Sequence, residues 1–198
     1  MQIASKAKTI GLPNVSTKRP DPLKDRPTED QQVDVLYSLR NAPDHALAIT
    51  AAAYVDYAVE MVIRDRMRID KDEAARIFDG AQNGILSTAS SKITIAYAAR
   101  FIEKSSRDDL RIVNRVRNIF AHSLHQIDFK HPDVAAQCRK LSLVQRRTDM
   151  FPDAATADPR KLYWNTCLDF FTAMQFFRRG IQEDGTIRIQ SEDEYTWL

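Results

Sequence analysis

The stretch Ala46-Leu47-Ala48-Ile49-Thr50-Ala51-Ala52-Ala53-Tyr54-Val55-Asp56-Tyr57-Ala58-Val59-Glu60-Met61-Val62 decides the fold. It is apolar nearly all round at its start, and a helix of this kind is buried at the centre of a bundle. Pro43 and Asp44 open the helix, which is predicted to run to about Arg68. Asp56 and Glu60 lie one turn apart within it, so both acids are expected to face a basic partner.

Further helices are predicted from their start signals, in which a capping side chain or a proline precedes an apolar run. The sequence therefore predicts an all-α, single-domain helical bundle of about six or seven helices. The bundle is expected over residues 28–182, with a flexible N-terminal tail at 1–27 and a C-terminal tail at 183–198. The predicted starts are Thr28 with Gln31, Asp70 with Glu73, Ser106 with Asp109, Pro132 with Asp133, and Asp158 with Pro159.

Composition narrows the class of protein. The 198 residues include 29 Lys and Arg against 27 Asp and Glu, a net charge of +2. This balance argues against sequence-specific binding of duplex DNA, which uses a basic patch or stripe. The chain lacks the long uncharged apolar run of a membrane span, and its first thirty or so residues lack the apolar segment of a secretory signal. Two cysteines without a Cys-x-x-Cys pair favour a reducing, cytoplasmic environment.

The segment Arg117-Asn118-Ile119-Phe120-Ala121-His122 carries the candidate chemistry. At about 100° per residue, Asn118 and His122 fall on the polar side of their helix, whereas Arg117 lies at the edge of the apolar side. Arg117 and His122 therefore point about 140° apart. They can act on one phosphate only if the helix ends near Ala121 or a second subunit completes the site.

Two interpretations of this segment remain open. In the first, Arg117 forms a structural ion pair with Asp56 or Glu60, because an unpaired buried charge is costly. In the second, His122 is a general acid or base and Arg117 stabilises phosphate charge. Under the second interpretation, two further cations on the polar side of the helix would provide the positive electrostatic potential of a phosphate-binding site. These cations are Arg111 and Arg115.

No cofactor or metal is predicted. The spacing of the histidines and Cys138 in the second half of the chain matches no standard zinc pattern. Glycine-rich phosphate loops and Ser-His-Asp arrangements are absent from the sequence. The aromatic run Tyr163 to Phe177 is typical of a core or of a dimer face. Its four phenylalanines cannot all point inward, because neighbours in a helix differ by about 100°.

Residues 45–145 resemble the mannitol-operon-repressor-like (MltR) family. The resemblance implies a helical cytoplasmic protein linked to control of sugar-alcohol uptake operons. It implies action through a protein partner, without direct sequence-specific DNA binding. The matching segments are Phe78-Asp79-Gly80, Gly84-Ile85-Leu86-Ser87, Lys92-Ile93, Ala96-Tyr97, Asp109-Leu110 and Val116 to His122, continued by Asp128-Phe129, Cys138 and Leu141.

The Arg-Asn-x-x-Ala-His segment also resembles the Arg-x4-His motif of HEPN domains. That resemblance implies metal-independent RNA cleavage by Arg117 and His122, supported by Asn118. The HEPN toxins that are modified on a tyrosine carry it two residues after the histidine, where this chain has Leu124. Because helical geometry separates Arg117 from His122, we expect a non-enzymatic regulatory homodimer, with the ribonuclease as the alternative.

Overall fold

The computed structural model describes residues 28–143 and 157–179, and seven α-helices and two 3-10 turns account for most of this part of the chain. No strand occurs within these ranges, so the all-α prediction is confirmed. The predicted tails at 1–27 and 183–198 lie outside the described residues. The α-helices are α1 (Glu29–Ser38), α2 (Asp44–Arg66), α3 (Lys71–Phe78), α4 (Ala89–Ala98), α5 (Lys104–His122), α6 (Pro132–Cys138) and α7 (Pro159–Arg179), and the turns are Leu39–Asn41 and Gly80–Gln82.

Helix α2 is the central element, as its sequence predicts. It packs against α7, α5 and α4, and it also contacts α1. Among the described residues it is the one helix long and apolar enough to cross a membrane, and half of its most apolar window is buried by neighbouring helices. A core helix has these properties too. The helix ends two residues earlier than predicted, because Arg68 adopts a left-handed conformation with φ of 53°.

Most predicted helix starts are confirmed by hydrogen bonds. Thr28 and Gln31 form a reciprocal capping box at α1, and Asp70 accepts from the backbone N–H of Glu73 at α3. Helix α7 begins at Pro159, where Asp158 accepts from the N–H of Lys161 at 2.9 Å. Each cap satisfies a backbone donor that has no partner within its helix.

The predicted start of α5 is wrong. The helix begins at Lys104, two residues before the predicted cap Ser106, which is itself buried. Asp109 does not cap this helix. Its carboxylate accepts the N–H groups of Ser142 at 3.0 Å and of Leu143 at 2.6 Å, far along the chain. The capping spacing was misleading because a buried tertiary interaction uses the same type of residue. Helix α6 begins at Pro132, as predicted, and ends at Cys138.

The aromatic helix α7 divides its phenylalanines between the interior and solvent. Phe170 and Phe171 are fully buried, Phe177 lies under the guanidinium of Arg66, and Phe176 is 57% exposed. The prediction that they cannot all face inward is therefore confirmed. The start of α7 is held by Arg160, which bonds Asp44 and the backbone carbonyl groups around Leu39 to Ala42.

Gly84 shapes the turn that leads from α3 towards α4. A Cβ atom at this position would lie 2.4 Å from the carbonyl oxygen of Ile77. The same carbonyl accepts the N–H of Leu86 at 2.9 Å, which brings the chain back over the end of α3. The absence of a side chain at Gly84 thus positions the segment that enters α4.

Candidate functional site

A cavity of about 560 Å³ lies between α2, α5 and the start of α4. The residues of α2 that line it are mostly apolar, whereas α5 and the start of α4 contribute the amide, hydroxyl and guanidinium groups of its polar wall. The cavity combines an apolar surface with a small number of polar groups, as ligand sites do. Its lining residues are Ile49, Ala52, Ala53, Val55, Asp56, Val59, Ser87, Thr88, Ala89, Ser90, Ile93, Leu110, Val113, Asn114, Arg117 and Asn118.

Arg117 and Asn118 face this cavity together. The Nη1 atom of Arg117 donates to the side-chain oxygen of Asn118 at 3.0 Å, and both side chains are half-buried. Asn114, one turn earlier in α5, lines the same space. The cavity therefore receives three adjacent polar side chains from one helix. The sequence pattern placed Asn114 and Asn118 with His122 on the polar side of α5, but Asn114 was not predicted as a site residue.

The predicted ion pair between Arg117 and Asp56 or Glu60 does not form. Lys92 of α4 contacts both acids, with Nζ 2.7 Å from Asp56 and 3.1 Å from Glu60. Glu60 also meets Arg64 at 3.4 Å. The expectation that the two acids face a basic partner is confirmed, but the partner is a lysine from α4. Lys92 was not chosen because nothing in local spacing relates α4 to α2.

Arg117 is left without an acidic partner within the described part of the chain. No ion pair joins it to an acid there, and its recorded side-chain bond is the one to the neutral Asn118. The two acids of α2 are balanced by Lys92 and Arg64, so the guanidinium adds positive charge to the polar wall of the cavity. Its partial burial strengthens interactions with any anion that enters.

His122 does not join Arg117 at the cavity. It is the last residue of α5 and is exposed, and the helix is continuous through both residues. The angular separation expected from a regular helix is therefore preserved. Arg111 and Arg115 are also exposed on α5, outside the cavity lining. Within one chain, the structure places the guanidinium and the imidazole on different surfaces.

The start of α4 contributes hydroxyl groups to the cavity. Thr88 caps this helix by accepting the N–H of Ser91 at 3.1 Å, and Ser87, Thr88 and Ser90 line the space. Thr88 is not among the caps that were predicted from the sequence. The Thr88 and Ser91 spacing was the available signal.

The buried cysteine and tyrosine side chains that pack near α5 belong to the core. Burial raises the pKa of Cys138 to about 12 and raises the pKa of Cys167 further. Burial is also the main cause of the raised pKa of Tyr163, whose hydroxyl donates to the carbonyl of Ala48 at 2.8 Å. Both cysteines are free thiols. They stay protonated near neutral pH, which makes them poor nucleophiles.

Metal-binding side chains do not cluster in the described ranges. No group of three or more His, Cys, Asp or Glu side chains there could hold a metal ion. His45 and His131 line a separate, open depression beside α2, where the nearby acids are Asp44 and Asp128. The donor groups that converge at the cavity suit an anion better than a cation.

The helices form an all-α bundle, and the overall arrangement is similar to that of MtlR. No protein-family model matches the chain, and no curated protein matches it. A solved structure with a similar arrangement is the X-ray structure of the MtlR-HPr complex from Escherichia coli. The match has a TM-score of 0.56 at 15% identity and covers 74% of this chain and 97% of that chain. At this identity the likeness shows the fold, which agrees with the fold that the MltR resemblance implied.

Proposed function

We propose that the chain is a non-enzymatic regulatory protein that acts by binding a protein partner of the HPr kind. The observation that carries this proposal is the fold match, which extends over 97% of a chain solved in an MtlR-HPr complex. Regulation would take place in the cytoplasm and through the bound protein, without sequence-specific contact to DNA. The near-balance of 29 basic and 27 acidic residues supports the last point.

The outward side of α5 is the surface we assign to the partner. Arg111, Arg115 and His122 are exposed along it, and Leu124, just after the helix, is 96% exposed. Arginine is enriched at protein interfaces because its flat guanidinium packs and donates several hydrogen bonds at once. A partner with an acidic rim around a small apolar contact would complement this side of α5.

Calorimetric titration with purified HPr tests the proposal. HPr from E. coli and HPr from the source organism are titrated into the full chain. We expect saturable binding of at least one of them. Replacing Arg111 and Arg115 by glutamate should weaken it about tenfold or more, since charges at an interface steer and select the partner. The matched control makes the same charge change on α3, as Lys71→Glu with Arg76→Glu, and should bind like the parent.

The outcome of that titration is decisive in either direction. Heat of binding that saturates and is lost in the α5 variant supports the proposal. Absence of binding to both HPr proteins contradicts it. Equal loss in the α3 control would assign the partner to a different surface and contradict the role of α5.

A homodimer is part of the same proposal. Phe176 of α7 and Tyr37 of α1 are 57% and 56% exposed, and large aromatic side chains at a surface often mark a contact with another subunit. Light scattering of the full chain should give twice the monomer mass. A monomer mass that persists on concentration would contradict the dimer without affecting HPr binding.

The alternative function is metal-independent RNA cleavage by Arg117 and His122. The half-buried guanidinium beside amide and hydroxyl groups favours it, because such a set binds phosphate oxygen atoms. The separate position of His122 weighs against it, unless a second subunit supplies the imidazole. Incubation with single-stranded RNA and a chelator distinguishes the two functions. Cleavage by the parent that is lost in His122→Ala would establish the nuclease, whereas intact RNA with both proteins would exclude it.

A further inference from the structure

The cavity between α2, α4 and α5 is lined by other residues than those assigned to the partner on the outward side of α5. Its polar wall is formed by Asn114, Arg117 and Asn118, whereas the surface assigned to the partner carries Arg111 and Arg115. Arg111 and Arg115 do not line the cavity, although Asn114 and Asn118 lie next to them on the polar side of the same helix. The residues that line the cavity would therefore select its occupant without using Arg111 or Arg115.

The charges of the described residues favour an anion as that occupant. Asp56 lines the cavity, but its carboxylate is bonded to Lys92 at 2.7 Å and its charge is compensated there. Arg117 has no such acid. A guanidinium binds carboxylate and phosphate oxygens through parallel, charge-assisted hydrogen bonds, so it selects these two head groups.

The size of the cavity and its other wall favour an organic anion over an inorganic one. A volume of about 560 Å³ lies in the range of sites that hold small organic molecules. Val59 of α2 and Ile93 of α4 supply apolar contacts on helices other than the one that carries the guanidinium. The uncharged part of a ligand would displace water from these side chains. This apolar contact would add to the affinity that the charged head group provides.

We infer that this cavity binds a small organic anion, whose carboxylate or phosphate lies on Arg117 and Asn118 and whose apolar body lies against α2 and α4. The amide of Asn114 and the hydroxyl groups of Ser87 and Ser90 are placed to accept or donate further hydrogen bonds. The bound anion would supply the negative charge that Arg117 lacks among the described residues.

Binding is tested by NMR titration of the full chain with chosen probes. Phenyl phosphate and phenylacetate carry the two head groups on an aromatic body, benzyl alcohol lacks the charge, and inorganic phosphate lacks the body. At least one aromatic anion should bind more tightly than both benzyl alcohol and inorganic phosphate. The stronger of the two anions identifies the head group, and binding of either one supports the inference.

Two variants and one control locate the binding. Arg117→Gln should lower the affinity for the aromatic anion about tenfold or more, because a charge-assisted hydrogen bond is lost. Ala53→Trp places a large ring at an exposed position of the cavity rim and should abolish binding. The control Lys104→Gln removes an exposed cation of α5 outside the cavity and should leave affinity unchanged. The spectrum of each free variant reports whether it is folded.

Several results would overturn the inference. These are a failure of both aromatic anions to bind, or binding that Arg117→Gln and Ala53→Trp leave unaltered. Equal affinity for benzyl alcohol would show that charge is not recognised, and equal affinity for inorganic phosphate would show that the apolar wall is not used. Binding of an RNA oligonucleotide but of neither aromatic anion would assign Arg117 to the nuclease alternative.

Discussion

Two cations near the centre of the bundle, Lys92 and Arg117, differ in what surrounds them. The side chain of Lys92 is 5% exposed and contacts two carboxylates, so its charge is fully used within the fold. Arg117 is half-buried, bonds a neutral amide and faces a cavity. Removal of a compensated buried cation destabilises the protein, because its carboxylates are left without a partner. A cation that has no acid beside it and faces an open space is instead available to a ligand. We therefore expect substitutions of Lys92 to affect stability and substitutions of Arg117 to affect ligand binding.

The largest effect is expected at Lys92. Lys92→Met leaves Asp56 and Glu60 close together without their shared cation, and breaking a buried pair costs several kcal/mol. Because Asp56 is about one-third exposed, we expect a loss of about 3 kcal/mol in the free energy of unfolding. Urea unfolding measures it. Lys104→Met, an exposed lysine of α5, is the control, and equal stability of the two variants would show that the ion pairs contribute little.

A second large effect is expected on the buried side of α5, at Asp109. Asp109→Ala leaves the N–H groups of Ser142 and Leu143 without their acceptor, at a cost of about 2 kcal/mol. Hydrogen exchange should become faster at those two amides. The neighbouring Asp108→Ala removes a carboxylate that is about half exposed and should change little. An unchanged exchange rate at Ser142 would contradict the role of the Asp109 carboxylate in holding this segment.

Gly84 tests whether the start of α4 is rigidly placed opposite Arg117. Gly84→Ala puts a methyl group against the carbonyl of Ile77, which we expect to destabilise the protein by about 2 kcal/mol. Thermal unfolding is the measurement. Gly80→Ala is the matched control, because the nearest atom to its Cβ would be 3.8 Å away. Similar midpoints for both variants would indicate that the turn adapts easily.

The core thiol behind α5 predicts a pH dependence at alkaline pH. The pKa of Cys138 is raised from 9.0 to about 12, so the unfolded chain ionises first as pH rises. This contribution to stability is complete below pH 9.0 and declines from there towards pH 12. Urea unfolding across this range should show a shallower decline for Cys138→Ala. An equal slope in the variant would contradict the shift.

The smallest effect on stability is expected at Arg117, which completes the comparison with Lys92. Arg117→Gln removes a half-buried cation that pairs with no acid of the described residues, so the free energy of unfolding should change by less than about 1 kcal/mol. The same urea measurement used for Lys92→Met applies. A loss as large as that of Lys92→Met would show that Arg117 is a structural residue.

The sequence predicted the bundle because each helix carries its own signals. The apolar stretch at the start of α2 indicates a central helix, and the caps at Thr28, Asp70 and Asp158 are local hydrogen bonds. It did not predict the partners of Asp56 or Asp109. Those contacts join segments that are distant in the chain. Hydrophobic periodicity predicts which face of a helix is buried, but it does not predict which segment packs against that face. Local geometry did predict that Arg117 and His122 diverge, because both belong to one continuous helix.

Hydrogen exchange of the full chain, with and without HPr, tests most directly whether the outward side of α5 binds a protein. The account predicts slower exchange in peptides that cover Arg111 to Leu124 when HPr from the source organism is added, and little change in α3. Protection confined to α3, or to any surface away from α5, would contradict it. So would identical exchange in the presence and absence of HPr.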